Sequence, residues 1–217
     1  SFIEWMTYFQ GHYEPSVTNF INSIITHDAV SIDVGANIGL HTIEMAKGRK
    51  VYAFEPNPLV YKRCKENIAL SKIFNVEVIQ RGLSKVKGMI DFYIPLRRNP
   101  HQGLGSIHKE NISAESEKMQ IQVSAIDELF KDLDKLDFVK IDVEGHDFNV
   151  ILGAEQVIER LRPVVLFEFS RSWSNENRTI EDAKKFFVSK GYSLMTLDGK
   201  PLPEKINDFA EIVASPN

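Results

Sequence analysis

Apolar and polar positions follow two alternating rhythms along the chain. Short β-branched runs at residues 30–34, 50–55, 76–80, 138–143 and 164–169 have the length and composition of buried strands. Between them, residues 40–46, 59–70, 148–161 and 180–190 carry apolar side chains at three- and four-residue spacing, the period of an amphipathic helix. Strand followed by helix, repeated, predicts a parallel sheet covered on both faces, because right-handed crossovers place the helices there. Residues 192–197 and 211–214 are predicted to pair antiparallel beyond the turn at Asp198-Gly199. The expected class is α/β, a doubly wound, mostly parallel, seven-stranded Rossmann-like sheet.

Two stretches break the rhythm. Residues 88–96 (Ile90, Phe92, Ile94) and 119–123 (Ile121, Val123) alternate with a period of two, which predicts an inserted β-hairpin. The connection between them, 97–118, is rich in Gly, Ser, Asn and His, and loops of that length in a compact domain are more often functional than idle. At the start, Phe2, Trp5, Tyr8, Phe9 and Tyr13 precede Val17, Phe20, Ile21, Ile24 and Ile25 at helical spacing. The expected organisation is a helical lead-in, 1–28, packed on a domain spanning 29–217, one domain in all.

Charge and cysteine content narrow the function. With 26 basic and 30 acidic residues, net −4, there is no cationic excess to neutralise a phosphate backbone, so no nucleic-acid partner is expected. Cys64 is the single cysteine, which excludes an internal disulfide and a multi-thiolate zinc site and fits a reducing, cytoplasmic setting. No apolar run approaches the roughly 18 residues that span a bilayer, and no secretory leader is evident. The chain opens on Ser1, consistent with a piece of something longer.

The loop Gly35-Ala36-Asn37-Ile38-Gly39 follows a strand and opens a helix, where doubly wound sheets bind nucleotides. A dinucleotide fingerprint needs a central glycine so that bare backbone approaches a pyrophosphate. Here Asn37 stands in that place, and Asp33 sets a carboxylate before the loop that would repel a pyrophosphate. S-adenosylmethionine carries a sulfonium and an ammonium and no phosphate, so the same carboxylate favours it. Glu55, closing the second strand before Pro56, can accept both ribose hydroxyls of an adenosine.

A second group, Asp142, Glu144, His146 and Asp147, follows the fourth core strand. Three roles compete for it: support for the methionine end of the cofactor, general base for an acceptor hydroxyl, or ligation of a divalent metal. His146 and Glu144 are the preferred bases and Asp142 a further catalytic candidate; no metal is assigned. His146 as a solvent-exposed or capping residue, and Asp147 as a helix cap, are the bland alternatives.

These residues resemble the FkbM-type family of class I methyltransferases. The likeness is carried by Asp33-Val-Gly35-Ala-Asn37-Ile-Gly39 with Thr42, by Phe54-Glu55-Pro56-Asn57-Pro58, by Gly82-Leu83-Ser84 and by Lys140-Ile-Asp142-Val-Glu144-Gly-His146-Asp147. It implies S-adenosylmethionine-dependent methylation of a hydroxyl on a saccharide, glycolipid or small natural product. The implied cofactor residues are Asp33, Gly35, Asn37, Gly39, Thr42, Glu55, Pro56, Asn57, Gly82, Leu83, Ser84 and Asp142. Such proteins also carry a glycine-serine segment, here 101–108, and an acid in the lead-in, here Glu14. Arg97 and Arg98 are solvated charges or contacts to an acidic acceptor, and Glu168 with Ser170 and Trp173 forms the rim of the cleft. An N-methyltransferase is disfavoured because Asp-Val-Glu-Gly stands where an Asn/Asp-Pro-Pro-aromatic stretch would. A nucleotide-dependent oxidoreductase and a non-catalytic S-adenosylmethionine-binding protein remain the rival readings.

Overall fold

The computed structural model describes residues 13–95, 105–112, 115–203, 206 and 208–217. Of the main sheet, β1 (Val30–Val34), β2 (Lys50–Phe54), β3 (Val76–Ile79), β7 (Phe138–Ile141) and β8 (Val164–Ser170) are the expected parallel strands. The antiparallel pair β9 (Tyr192–Thr196) and β10 (Phe209–Pro216) completes seven strands in the order β3-β2-β1-β7-β8-β10-β9. The order reverses direction between β1 and β7, which opens a crevice at the carboxyl ends of those strands.

Both faces of the sheet are covered. Helix α1 (Pro15–Ile24), started by a proline at its first position, lays Val17 and Ile21 on Val51, Phe138, Leu166 and Val213. Helices α2 (Leu40–Met45) and α3 (Pro58–Leu70) share this side. The opposite face, Ile32, Val139, Ile141, Val165 and Phe167, carries the apolar sides of the later helices.

The helix expected over 148–161 is two helices, α5 (Asp147–Leu152) and α6 (Glu155–Leu161). A short helix that the pattern does not reveal, α4 (Ile126–Leu129), causes the break. The Asp127 carboxylate accepts the N–H groups of Gln156 at 3.0 Å and Val157 at 2.8 Å, capping α6 from outside its own chain segment. The Asp127 N–H donates to Gly153 O, and Gly153 packs so tightly that a Cβ there would lie 2.2 Å from Ser84 O. The final helix, α7 (Ile180–Ser189), begins with a capping box between Thr179 and Asp182.

The inserted hairpin is present as β5 (Gly88–Pro95) antiparallel to β6 (Ser116–Ser124), with Ile90 opposite Ile121. A third strand, β4 (Gly82–Leu83), pairs parallel to β6, so the insert is a separate three-stranded sheet. Much of the long loop, including Arg97, Arg98 and His101 to Leu104, lies outside the described residues, as do the first twelve residues with their aromatic run. Among the described residues no helix is long and apolar enough to cross a membrane.

Candidate active site

A cleft opens at the carboxyl ends of the central strands. Its edge is built by the loop after β1. Gly35 has φ +80°, and a Cβ there would sit 1.9 Å from Asp142 O, so only glycine fits between β1 and the end of β7. Gly39 starts α2 at φ +89° against Cys64 Sγ, and Asn37 also takes a left-handed conformation at φ 51°.

Glu55 ties this loop to β2. Its Oε2 accepts the Asn37 N–H at 3.0 Å and its Oε1 the Asn57 N–H at 2.8 Å, which leaves a further lone pair on each oxygen of a side chain that lines the cleft. Burial raises the Glu55 carboxyl to about 7 against those two hydrogen bonds. Pro56 lines the cleft beside it. Asn57 is buried and caps α3, its Oδ1 accepting from Leu59 N at 3.0 Å, so its side chain shapes the turn.

The face of the sheet that holds α1 turns polar at its carboxyl end. Asp33, Lys140, Glu168 and Glu211 share that face through the strand register, Asp33 beside Lys140 and Glu168 opposite Glu211. Asp33 is fully buried under the loop, accepting the Thr42 hydroxyl at 2.5 Å, and its Oδ1 has no hydrogen-bond partner among the described residues. Thr42 is buried too and serves Asp33; neither borders the main cleft. Lys140, 4% exposed, donates to Asp142 Oδ2 at 2.9 Å. Burial disfavours the ammonium, but Asp142 and Asp33 outweigh it and hold Lys140 above its usual range. Asp142 is likewise pushed up by burial and held down, on balance, by Lys140.

Around this pair stand further carboxyls. Glu14, brought in by the lead-in at φ 42°, borders the cleft with Tyr13 and is raised by burial and by Asp142. Burial, then Asp142, raises Glu168 to about 9; burial, then Glu14, raises Glu211 to about 7. The opposite wall is apolar: Ile90, Phe92, Ile121 and Val123 of the inserted sheet face the cleft, with Leu83 and Ile107. Gly82 also lines it, whereas Ser84 is turned away toward His146.

Asp142 and Glu144 both border the cleft from the turn that follows β7, which ends at Ile141. Glu144 sits at φ 54° before Gly145 at φ 97°, its carbonyl held by Asn111 Nδ2 at 2.6 Å. Burial and Asp142 raise its carboxyl to about 7. His146 occupies the position before α5 but does not cap it; its ring is buried, with Nε2 2.9 Å from Ser84 Oγ and Nδ1 2.6 Å from Glu176 Oε1. Asp147 is the first residue of α5, fully buried, accepting the Gly145 N–H at 3.2 Å. Trp173 does not reach the rim: it is 1% exposed and packs among Phe148, Phe167 and Phe169.

Sequence reasoning gave no role to Lys140, Glu176 or Glu211. Lys140 had a signal, a lone cation inside the apolar run Phe138-Val139-Lys140-Ile141. Glu176 lies in a polar stretch, 170–178, with no pattern to mark it, and the Glu168–Glu211 pairing depends on a register that no local signal fixes.

An open, mostly parallel α/β sheet with a cleft at its switch point defines a Rossmann-like fold. Residues 33–194 match the family model of the methyltransferase FkbM domain, and the chain belongs to that family. Among curated proteins it is 32% identical over 155 residues to the hexuronic acid methyltransferase AglP of Haloferax volcanii, covering 70% of this chain and 61% of that protein. It is 21% identical over 156 residues to the 2-O-methyltransferase NoeI of Sinorhizobium fredii, covering 62% of this chain and 61% of NoeI. The chain thus spans less than two thirds of either relative. A solved methyltransferase FkbM from Methylobacillus flagellatus superposes with TM-score 0.59 at 16% identity, over 87% of this chain and 44% of that one, a likeness of fold.

Proposed function

We propose that the chain is a methyltransferase that uses S-adenosylmethionine to methylate a hydroxyl of a saccharide, glycolipid or small natural product. The observation that supports this reading is Glu55, which lines the cleft with its two oxygens fixed by the Asn37 and Asn57 N–H groups and each left with a lone pair for a ribose hydroxyl. Asp142, with the acidic side chains of Glu144 and Glu14 that also line the cleft, suits a donor bearing two positive centres. That donor supplies a methyl group already activated by a neutral leaving group, so alignment is the main task left to the protein.

Glu144 is the proton acceptor in this reading. Asp142 is engaged by Lys140, and both ring nitrogens of His146 are engaged, one by Ser84 and one by Glu176. The Glu144 carboxylate borders the cleft with only its backbone carbonyl held, which leaves it able to reach an acceptor hydroxyl. Asp142 and Lys140 hold the loop and the methionine end, and His146 positions the wall. The inserted sheet gives the acceptor an apolar platform of Ile90 and Phe92 suited to the flat face of a sugar ring. AglP acts on hexuronic acid and NoeI is a 2-O-methyltransferase, which supports a hydroxyl of a saccharide as the acceptor. The carboxylate-rich end disfavours nucleic acid. A cytoplasmic setting is supported by the buried, unpaired Cys64.

The test is methyl transfer from labelled S-adenosylmethionine to a panel of neutral, uronic and amino sugars and their lipid conjugates. Label on a sugar oxygen is the expected result. Label confined to an amine or to RNA contradicts the acceptor class.

A further inference from the structure

We infer that His108, His146 and Glu176 form a binding site for a zinc-type divalent cation behind one wall of the cleft. Among the described residues, these three offer ligand atoms that all lie within 4.8 Å of one another. They come from three separate segments: the loop before β6, the turn after β7 and the 3₁₀ turn Arg171–Glu176. Glu176 Oε1 lies 2.6 Å from His146 Nδ1 and 3.3 Å from His108 Nε2. The second contact is close but not aligned for a hydrogen bond, and the buried His108 Nε2 has no hydrogen-bond partner among the described residues.

Two of the three ligands have the outer contacts typical of a metal site. His146 Nε2 is held by Ser84 Oγ at 2.9 Å and Glu176 Oε2 by Asn149 Nδ2 at 2.6 Å, so the far sides of two of the three ligands are fixed, while the 3.2 Å contact of Asn149 Nδ2 with His146 Nδ1 gives way when the ion binds. Two imidazoles and one carboxylate are a borderline-soft set that favours zinc over magnesium or calcium, with a fourth position left to water. Tetrahedral ligands about 2.1 Å from zinc stand about 3.4 Å apart, so the His146–Glu176 pair opens by under about 1 Å while the His108–Glu176 spacing is already suitable.

The placement assigns the ion a role. Of the three ligands only His146 borders the cleft, so the ion sits behind the wall and does not meet the acceptor. His108 follows Gly105 and Ile107, which do border it. A cation bridging His108 to His146 and Glu176 therefore fixes this wall against the core. The inference is independent of methyl transfer, since it concerns metal uptake by these three side chains alone.

The experiment uses the full chain stripped with a chelator and titrated with Co²⁺, whose visible d–d bands report a low-coordinate nitrogen and oxygen site. One equivalent is expected to bind and to be displaced by Zn²⁺. Ser84→Ala, which frees only the far nitrogen of His146, is expected to weaken binding by about 10- to 100-fold. His108→Gln and Glu176→Gln are expected to weaken it further, and hydrogen exchange over 105–112 is expected to slow on adding Zn²⁺ to the unsubstituted protein and not to His108→Gln. The unsubstituted protein is decisive without any variant: failure to take up one equivalent of Co²⁺ overturns the site. So does His108→Gln binding as tightly as the parent. Methyl transfer that persists in metal-free protein leaves the methyltransferase reading intact whichever way this result falls.

Discussion

Glu55 Oε2 accepts the backbone N–H of Asn37 at 3.0 Å, so the acid that closes the second strand also fixes the loop that follows the first. One carboxylate therefore sets the loop shape, and in the proposed function it also receives the ribose. Burial raises it to about 7, and ribose hydroxyls donate best to its ionised form. The affinity for S-adenosylmethionine is predicted to rise with pH up to about 7 and to level off above it, with a slope of up to about ten-fold per unit on the acid side. Calorimetric titration across that range checks this. A flat profile would remove Glu55 from ribose binding.

Lys140 is buried beside Asp33 and Asp142, and its removal leaves carboxylates in the interior without their cation. Lys140→Met is predicted to destabilise the fold by about 3–5 kcal/mol, measured by urea unfolding. Adding Asp33→Asn to that background is predicted to restore part of the loss, because it removes one of the stranded charges.

Glu144→Gln keeps the size of the side chain and abolishes its ability to take a proton. The predicted loss is about 10²- to 10⁴-fold in kcat, with cofactor affinity little changed. Asp142→Asn is predicted to do the reverse, weakening cofactor binding and stability through the lost Lys140 contact. Steady-state kinetics with parallel binding measurements separate the two.

Much of this arrangement is legible in the sequence, and the exceptions have physical causes. Period-two and period-3.6 patterns report which face of an element is buried, and they place the parallel strands and most helices to within a few residues. They fail at 148–161 because the interruption comes from Asp127, some thirty positions away, capping α6 in trans. They miss Gly82–Leu83 because two residues are too few for a period. The glycine loop and Glu55 are readable because backbone constraint and strand-end position are local properties. Thr42 donates to Asp33 and Asn57 caps α3, contacts that the motifs themselves do not encode. The partnership of His146 with Ser84 and Glu176 depends on tertiary convergence, which no spacing encodes.

Glu168 supplies a stability signature. Burial, reinforced by Asp142, raises its folded-state carboxyl to about 9 from the ordinary 4.5. The neutral acid is the form the fold tolerates, so this group's favourable contribution is complete below about 4.5 and is lost as pH rises toward 9. In ligand-free protein, Glu168→Gln is predicted to melt higher than the parent at pH 8 to 9, with the difference shrinking toward pH 5. Thermal melts across that series check the trend, and a constant offset would contradict it.

The central claim is that this cleft holds S-adenosylmethionine through Glu55. The most direct measurement is calorimetric titration of the protein with S-adenosylmethionine, S-adenosylhomocysteine and NAD, repeated on Glu55→Ala. The account predicts saturable one-to-one binding of the first two, no binding of NAD, and affinity for both reduced at least about ten-fold in the variant, which loses both charge-assisted hydrogen bonds to the ribose, each worth that much or more. Binding of NAD alone, or undiminished affinity in Glu55→Ala, would contradict it.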